Sequence, residues 1–196
     1  METTQTNVPQ DDTLVKQGSA PDFYVVGIGA SAGGLDALRL LFESLPHDTG
    51  MAFIIVQHLS PTFKSLMDEL LARYTQMPIV PAADGIQIKP NHIYLNPKEK
   101  NILCRDGKIL HLDKDHSYPL NLPIDIFFHS LGHDLEHKAI GVILSGTGTD
   151  GSRGIGTIKE AGGTVIVQEP SSAQFDGMPV TAINSQLSDY VLKPEK

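Results

Sequence analysis

The chain has 196 residues, 40% hydrophobic and 19% charged, with 15 basic against 23 acidic side chains and a net charge of −8. That length suits one domain with a sizeable core, and the acidic balance argues against a nucleic-acid binder, since Lys98, Lys100, Arg105 and Lys108 are scattered rather than clustered. A lone cysteine, Cys104, rules out an internal disulfide, while the lack of a signal-peptide pattern or of a roughly 18-residue apolar run makes a soluble cytoplasmic protein, with no membrane insertion, the expectation.

Residues 1–20 are polar and without hydrophobic period, which predicts a disordered leader or linker ahead of one domain over 21–196. Phe23 to Ile28 reads as a buried strand ending in glycines. Leu35, Leu38, Phe42 and Leu45 then recur at helical spacing, and Met51 to Val56 is a second buried strand. Ser60 can cap the next helix, with Pro61 at its first position and an apolar stripe of Phe63, Leu66, Met67, Leu70, Leu71 and Tyr74. Short strands follow at Ile79-Val80, Ile86 to Ile88, His92 to Leu95, Asn101 to Arg105 and Lys108 to Leu112. Asp106-Gly107 between the last two signals a type I′ hairpin. The spacing then predicts a helix from Pro123 to about His137, with Ile126, Phe127, Leu131 and Leu135 inward. Ile140 to Leu144 and Gly163 to Val167 read as strands flanking a helix over Gly151 to Ala161. The alternation predicts an α/β fold: a doubly wound, mostly parallel, Rossmann-like sheet with helices on both faces and an inserted β-hairpin.

In such sheets reactive groups gather beyond the carboxyl ends of the strands. Three of those ends carry suggestive residues. After the first strand, Gly29-x-Ser31-x-Gly33 fits a nucleophile elbow backed by a helix N-terminus able to stabilise an oxyanion. The same stretch spells Gly27-x-Gly29-x-x-Ala32, so a dinucleotide cradle and a structural glycine turn stay open on this segment alone. After the second strand comes Gln57-His58, with no acid to hold a ribose and with an imidazole able to take a serine proton. After the later strand, Gly146-x-Gly148-x-Asp150-Gly151 offers a carboxylate, either as a helix cap or to orient His58, and both roles can coexist. His129, His133 and His137 recur at helical spacing but lack the Glu of a zinc-protease motif, which favours a solvated helix face over a metal site.

Together, Gly29-Ala30-Ser31-Ala32-Gly33-Gly34, Val56-Gln57-His58, the Gly146 to Gly151 loop and Gly177-Met178-Pro179 resemble the CheB-type methylesterase domain. Asn91-His92-Ile93-Tyr94 and Asp125-Ile126-Phe127-Phe128 also look similar, and the likeness runs from about Phe23 to Leu192. The resemblance implies a serine hydrolase that removes glutamate methyl esters from chemoreceptor cytoplasmic helices, releases methanol and also deamidates receptor glutamines. It casts Ser31 as nucleophile, His58 as general base and Asp150 as the orienting carboxylate, without metal or cofactor. Two departures stand out: Thr147 where family members commonly have Met, and no receiver domain in the leader. Leu122-Pro123-Ile124-Asp125 resembles versions fused to methyltransferase and sensor modules. A non-catalytic regulatory module and a dinucleotide-binding domain are the competing readings.

Overall fold

The computed structural model describes residues 21–57, 67–115 and 120–196. The first apolar run forms β1 (Val25–Ala30), buried at all six positions, as a strand covered on both faces must be. It is followed by α1 (Gly34–Ser44), β2 (Ala52–Gln57), α2 (Met67–Leu71), β3 (Ile79–Pro81), β4 (Ile86–Gln87) and β5 (Ile93–Leu95). Then come β6 (Lys100–Arg105), β7 (Lys108–Asp113), α3 (Pro123–Leu135), β8 (Ala139–Ile143), α4 (Gly154–Glu160), β9 (Thr164–Gln168), α5 (Gly177–Asn184) and β10 (Tyr190–Leu192). The leader expected over 1–20 lies outside the described residues, as do Ser60, Pro61, Phe63 and Leu66 of the second expected helix.

Seven strands form one sheet in the order β10-β9-β8-β1-β2-β5-β3, and every pairing in it is parallel. The chain builds outward from central β1 through β2, then returns to the other side of β1 with β8. The carboxyl ends of β1 and β8 therefore face a topological switch point, where open α/β sheets bind ligands. The insertion is a separate antiparallel sheet, β4-β7-β6, one strand larger than the hairpin expected. Strands β3 and β5 join the main sheet instead.

Alternation along the strands divides the core in two. Val25, Ala52, Ile54 and Val56 pack with α3, α4, α5 and the β6–β7 hairpin. Val26, Ile28, Phe53 and Ile55 face α1 and α2. On the α3 side, β1 presents glycines. A Cβ on Gly27 would meet Leu131 at 2.8 Å and Phe127 and Phe128 at 3.0 Å, and one on Gly29 would meet Ile124 Cγ2 at 2.5 Å. The missing methyls let α3 lie directly on the strand.

The buried face of α3 consists of Ile124, Phe127, Phe128, Leu131 and Leu135. Ile126, expected inward, is only half-buried, because the stripe is set by the 124/127/128/131 spacing and Ile126 falls beside it. The helix ends at Leu135, and Glu136 to Lys138 form a 3-10 turn. Helix α4 begins at Gly154, later than expected, after a turn in which Gly151 takes φ +91°. Both hairpin residues have positive φ, Asp106 at 51° and Gly107 at 67°, which is the type I′ geometry the dipeptide predicts. Helix α3 ties the hairpin down: Asp134 accepts from the backbone N–H of Asp106 (2.6 Å) and Gly107 (3.0 Å), and Ser130 Oγ accepts from that of Cys104 (2.9 Å). The Cys104 thiol donates to Asp134. Burial, then the Asp134 charge, pushes that thiol well above its usual range.

Candidate active site

Ser31 follows β1 directly, and its backbone N–H donates to the Ser145 carbonyl beyond β8 at 3.0 Å. The tight turn into α1 is made at Gly33, which adopts φ +70°, not at Ser31 itself. The crowding explains the small residues around it. A Cβ on Gly33 would sit 2.7 Å from Ser145 Oγ, and one on Gly34 2.7 Å from the Ala30 Cβ. The Gly34 N–H donates to the Ser31 carbonyl at 3.0 Å. Among the described residues the N–H groups of Ala32 and Gly33 meet no acceptor, so the turn presents two donors beside the hydroxyl.

The loop after β8 lies against this turn. A Cβ on Gly146 would come within 3.0 Å of the Ser31 Cβ and 2.2 Å of Met178 Sδ. Met178 is fully buried in the first turn of α5. Its N–H donates to the Gly146 carbonyl (2.9 Å), and the Gly146 N–H donates to the Phe175 carbonyl (2.9 Å). The Gly177-Met178-Pro179 segment thus braces the loop that touches Ser31. Ser145, also fully buried, joins the three loops. Its hydroxyl donates to the Ala32 carbonyl (2.9 Å) and accepts from the Phe175 N–H (3.0 Å), while its N–H donates to Gln168 Oε1 (2.8 Å). Sequence patterning singled out none of Ser145, Gln168 or α5.

Asp150 is 2% exposed. Its two oxygens accept from the backbone N–H groups of Ile124 (3.0 Å) and Asp125 (2.9 Å). It is therefore a cap, as one reading of the sequence holds, but of α3 and not of the helix that follows it. The start of α4 is held instead by Asp125, whose Oδ1 accepts from the N–H groups of Arg153 (2.9 Å) and Gly154 (2.8 Å). Each carboxyl group caps the helix that belongs to the other. Among the described residues, Asp125 Oδ2 is buried without a hydrogen-bond partner. Burial raises the Asp125 carboxyl above its usual range, the N–H of Gly154 opposes this, and the nearby Asp150 charge adds to it.

The third expected residue, His58, lies outside the described residues. Its neighbour Gln57 is described, and the Asn96 side chain clamps both its backbone groups. Asn96 Oδ1 accepts from the Gln57 N–H (3.0 Å), and Nδ2 donates to the Gln57 carbonyl (3.2 Å). Sequence patterning did not single out Asn96, which acts across 39 residues. Two clefts flank Gln57, Asn96 and Lys98. One of about 210 Å³ is lined by Ile55, Met67, Ile79, Pro81 and Leu95, and the other, of about 180 Å³, is polar.

His129 and His133 lie exposed on α3, and His137 is exposed on the turn after it. His129 Nδ1 is 2.5 Å from Thr157 Oγ1.

The family model described as CheB methylesterase matches residues 26–196. A protein of Leptospira interrogans is 32% identical over 176 residues, covering 89% of this chain and 91% of its own length. A Xanthomonas campestris protein named protein-glutamate methylesterase/protein-glutamine glutaminase 1 is 35% identical over 88% of this chain, which spans about half of that relative (49%). The crystal structure of the Thermotoga maritima CheB methylesterase catalytic domain superposes with a TM-score of 0.82 at 30% identity, covering 90% of this chain and 95% of that domain.

Proposed function

The chain belongs to the CheB methylesterase family, and from that premise we propose that it is a serine hydrolase that removes methyl esters from glutamate side chains of chemoreceptor cytoplasmic helices. Deamidation of receptor glutamines is the companion activity, by the same acyl chemistry. Ser31 is the nucleophile, His58 the general base and then acid, and Asp150 the carboxylate that orients His58. The observation that carries this reading is the meeting of the Ser31 turn with the Asp150 loop at the β1/β8 switch point, with no Cβ at Gly146 to hold them apart.

In the mechanism, the Ser31 hydroxyl attacks the ester carbonyl carbon as His58 takes its proton. The oxyanion forms where the unused N–H groups of Ala32 and Gly33 supply preorganised donors. Collapse expels methanol, which takes the proton from His58. Water, activated by the same imidazole, then releases the glutamate carboxylate. Asp150 is fit to hold the imidazole because two backbone donors and near-complete burial fix its own position.

The dinucleotide reading loses its footing, because Gly27 and Gly29 are explained by close packing of α3 on β1. Acting on cytoplasmic helices places the protein in the cytoplasm, and among the described residues no helix is long and apolar enough to cross a membrane. Receiver, methyltransferase or sensor modules are the partners such a domain would answer to.

Methanol release from methylated chemoreceptor fragments tests the assignment, with wild type compared against Ser31→Ala. Release by wild type alone is expected. Equal release by both would remove Ser31 from the mechanism, and none from either folded protein would favour a non-catalytic regulatory module.

A further inference from the structure

Folding gathers basic residues that are scattered in the sequence. Lys98 follows β5, Lys100 opens β6 and Lys114 follows β7, and all three line the polar cleft of about 180 Å³. Arg105 and Lys108 sit at the opposite end of the hairpin, beside its turn. The three lysines are half-buried, their stems packed along the cleft while the ammonium groups keep access to solvent. Around them stand the amides of Asn96, Asn101 and Asn121. Asn101 and Asn121 bond reciprocally, Nδ2 to Oδ1, at 2.8 and 3.0 Å, which fixes that wall. Acidic residues flank the lysines in the chain: Glu99 between Lys98 and Lys100, Asp113, paired with Lys100 and largely exposed, and the exposed Asp115 beyond Lys114. Lys98 and Asp115 each make a further interaction of their own. The Lys114 ammonium donates to the Lys98 carbonyl.

The position of the cleft matters as much as its charge. Gln57, on one wall, immediately precedes His58. Pro123, on another, immediately precedes Ile124, whose N–H is held by Asp150. The cleft is large enough to admit a carboxylate group.

We propose that this lysine-lined cleft is a recognition subsite for a carboxylate side chain of the substrate protein, one helical turn from the esterified glutamate. The inference rests on the methylesterase reading and specifies the substrate it prefers: a helix face carrying a free acidic residue beside the ester. Residues four apart lie on the same helix face, so the ester can occupy the reaction site while its neighbour enters the cleft. An otherwise acidic protein thereby offers lysine ammonium groups at the cleft to an acidic target.

The test uses two helical peptides, each with one glutamate methyl ester and either Glu or Gln four residues away. With the full chain, methanol release should show a KM about five- to tenfold lower for the Glu peptide, a preference that shrinks as salt is raised. In the Lys98→Gln/Lys114→Gln double variant the KM ratio of the two peptides should approach one. Equal KM values in wild type, or a preference that survives in the double variant, would overturn the subsite. Binding of labelled versions of the same peptides to Ser31→Ala reads the preference without turnover. A Glu preference in binding with no methanol from wild type would leave the subsite standing and sink the esterase reading.

Discussion

Replacing Asp150 should damage the fold as well as the chemistry, and the size of that damage follows from its partners. Asp150→Ala removes the acceptors of two backbone N–H groups, on Ile124, which is fully buried, and on Asp125, which is 5% exposed. A buried donor left unpaired costs about 1–3 kcal/mol, so the pair predicts a loss of about 2–6 kcal/mol. In a chain of this size each kcal/mol lowers Tm by about 2–4 °C. Asp150→Ala should therefore melt at least about 4 °C below wild type. Asp150→Asn keeps one carbonyl acceptor and turns an amide toward the other donor, so its loss should be intermediate. Ser31→Ala, at a half-buried turn, should stay within about 0.5 kcal/mol of wild type. Thermal and urea unfolding at neutral pH supply the measurements. If Asp150→Ala unfolded within about 0.5 kcal/mol of wild type, the capping argument would be refuted, and Asp150 would have to be a residue of chemistry alone.

Gly29→Ala should cost about 1–3 kcal/mol by overpacking and lower turnover as well, because its Cβ meets Ile124, the residue Asp150 holds; unchanged activity and unfolding midpoint would exclude that coupling. Gly146→Ala drives a methyl into Met178 and Ser31, so it should abolish activity, and a second change, Met178→Ala, should restore stability in part by urea unfolding. Burial, first of all, holds the native Asp125 carboxyl above its ordinary value of 3.8, so the native state holds its proton more tightly than the unfolded chain does. Its contribution is most favourable below pH 3.8 and is lost as pH rises through the raised native value. Wild type should thus lose stability relative to Asp125→Asn over that interval in a urea series across pH, whereas a pH-independent difference would count against the assignment. Cys104 is buried with its thiol pushed up, and a thiol reagent should label it only as fast as the hairpin opens; rapid labelling of the native protein would contradict this.

The strands and helices of the main sheet were legible because burial on both faces leaves continuous apolar runs, and because glycine, proline and Asp106-Gly107 mark the breaks. Helix α5 was missed because Gly177-Met178-Pro179-Val180 carries two poor helix formers and no apolar period; tertiary contacts from Met178 and Ala182 hold it. Ser31 and Asp150 stand out in the sequence as candidates because they sit in glycine-bounded loops at strand ends, and the structure places both loops at the β1/β8 end of the sheet. The partners of Asp150 were not, because the bonds run to a helix 26 residues earlier, and local spacing points to α4 instead. Gly27 and Gly29 spell a phosphate-binding pattern for a different physical reason, the approach of α3, which no one-dimensional pattern separates from a cradle. Asn96 lies 39 residues from the strand end it clamps, beyond the reach of periodicity.

The attachment of the β6–β7 hairpin has a consequence for how such a domain diversifies. Its bonds to α3 run through Asp134 and Ser130 to the turn and to Cys104, whereas Lys100 and Lys114 stand at its other end. Anchorage and display are thus assigned to opposite ends of one ribbon. Substitutions at the far end can accumulate over evolutionary time without loosening the bonds that Asp134 and Ser130 make to the turn, so the ribbon can vary at one end while the other keeps it fastened to the domain.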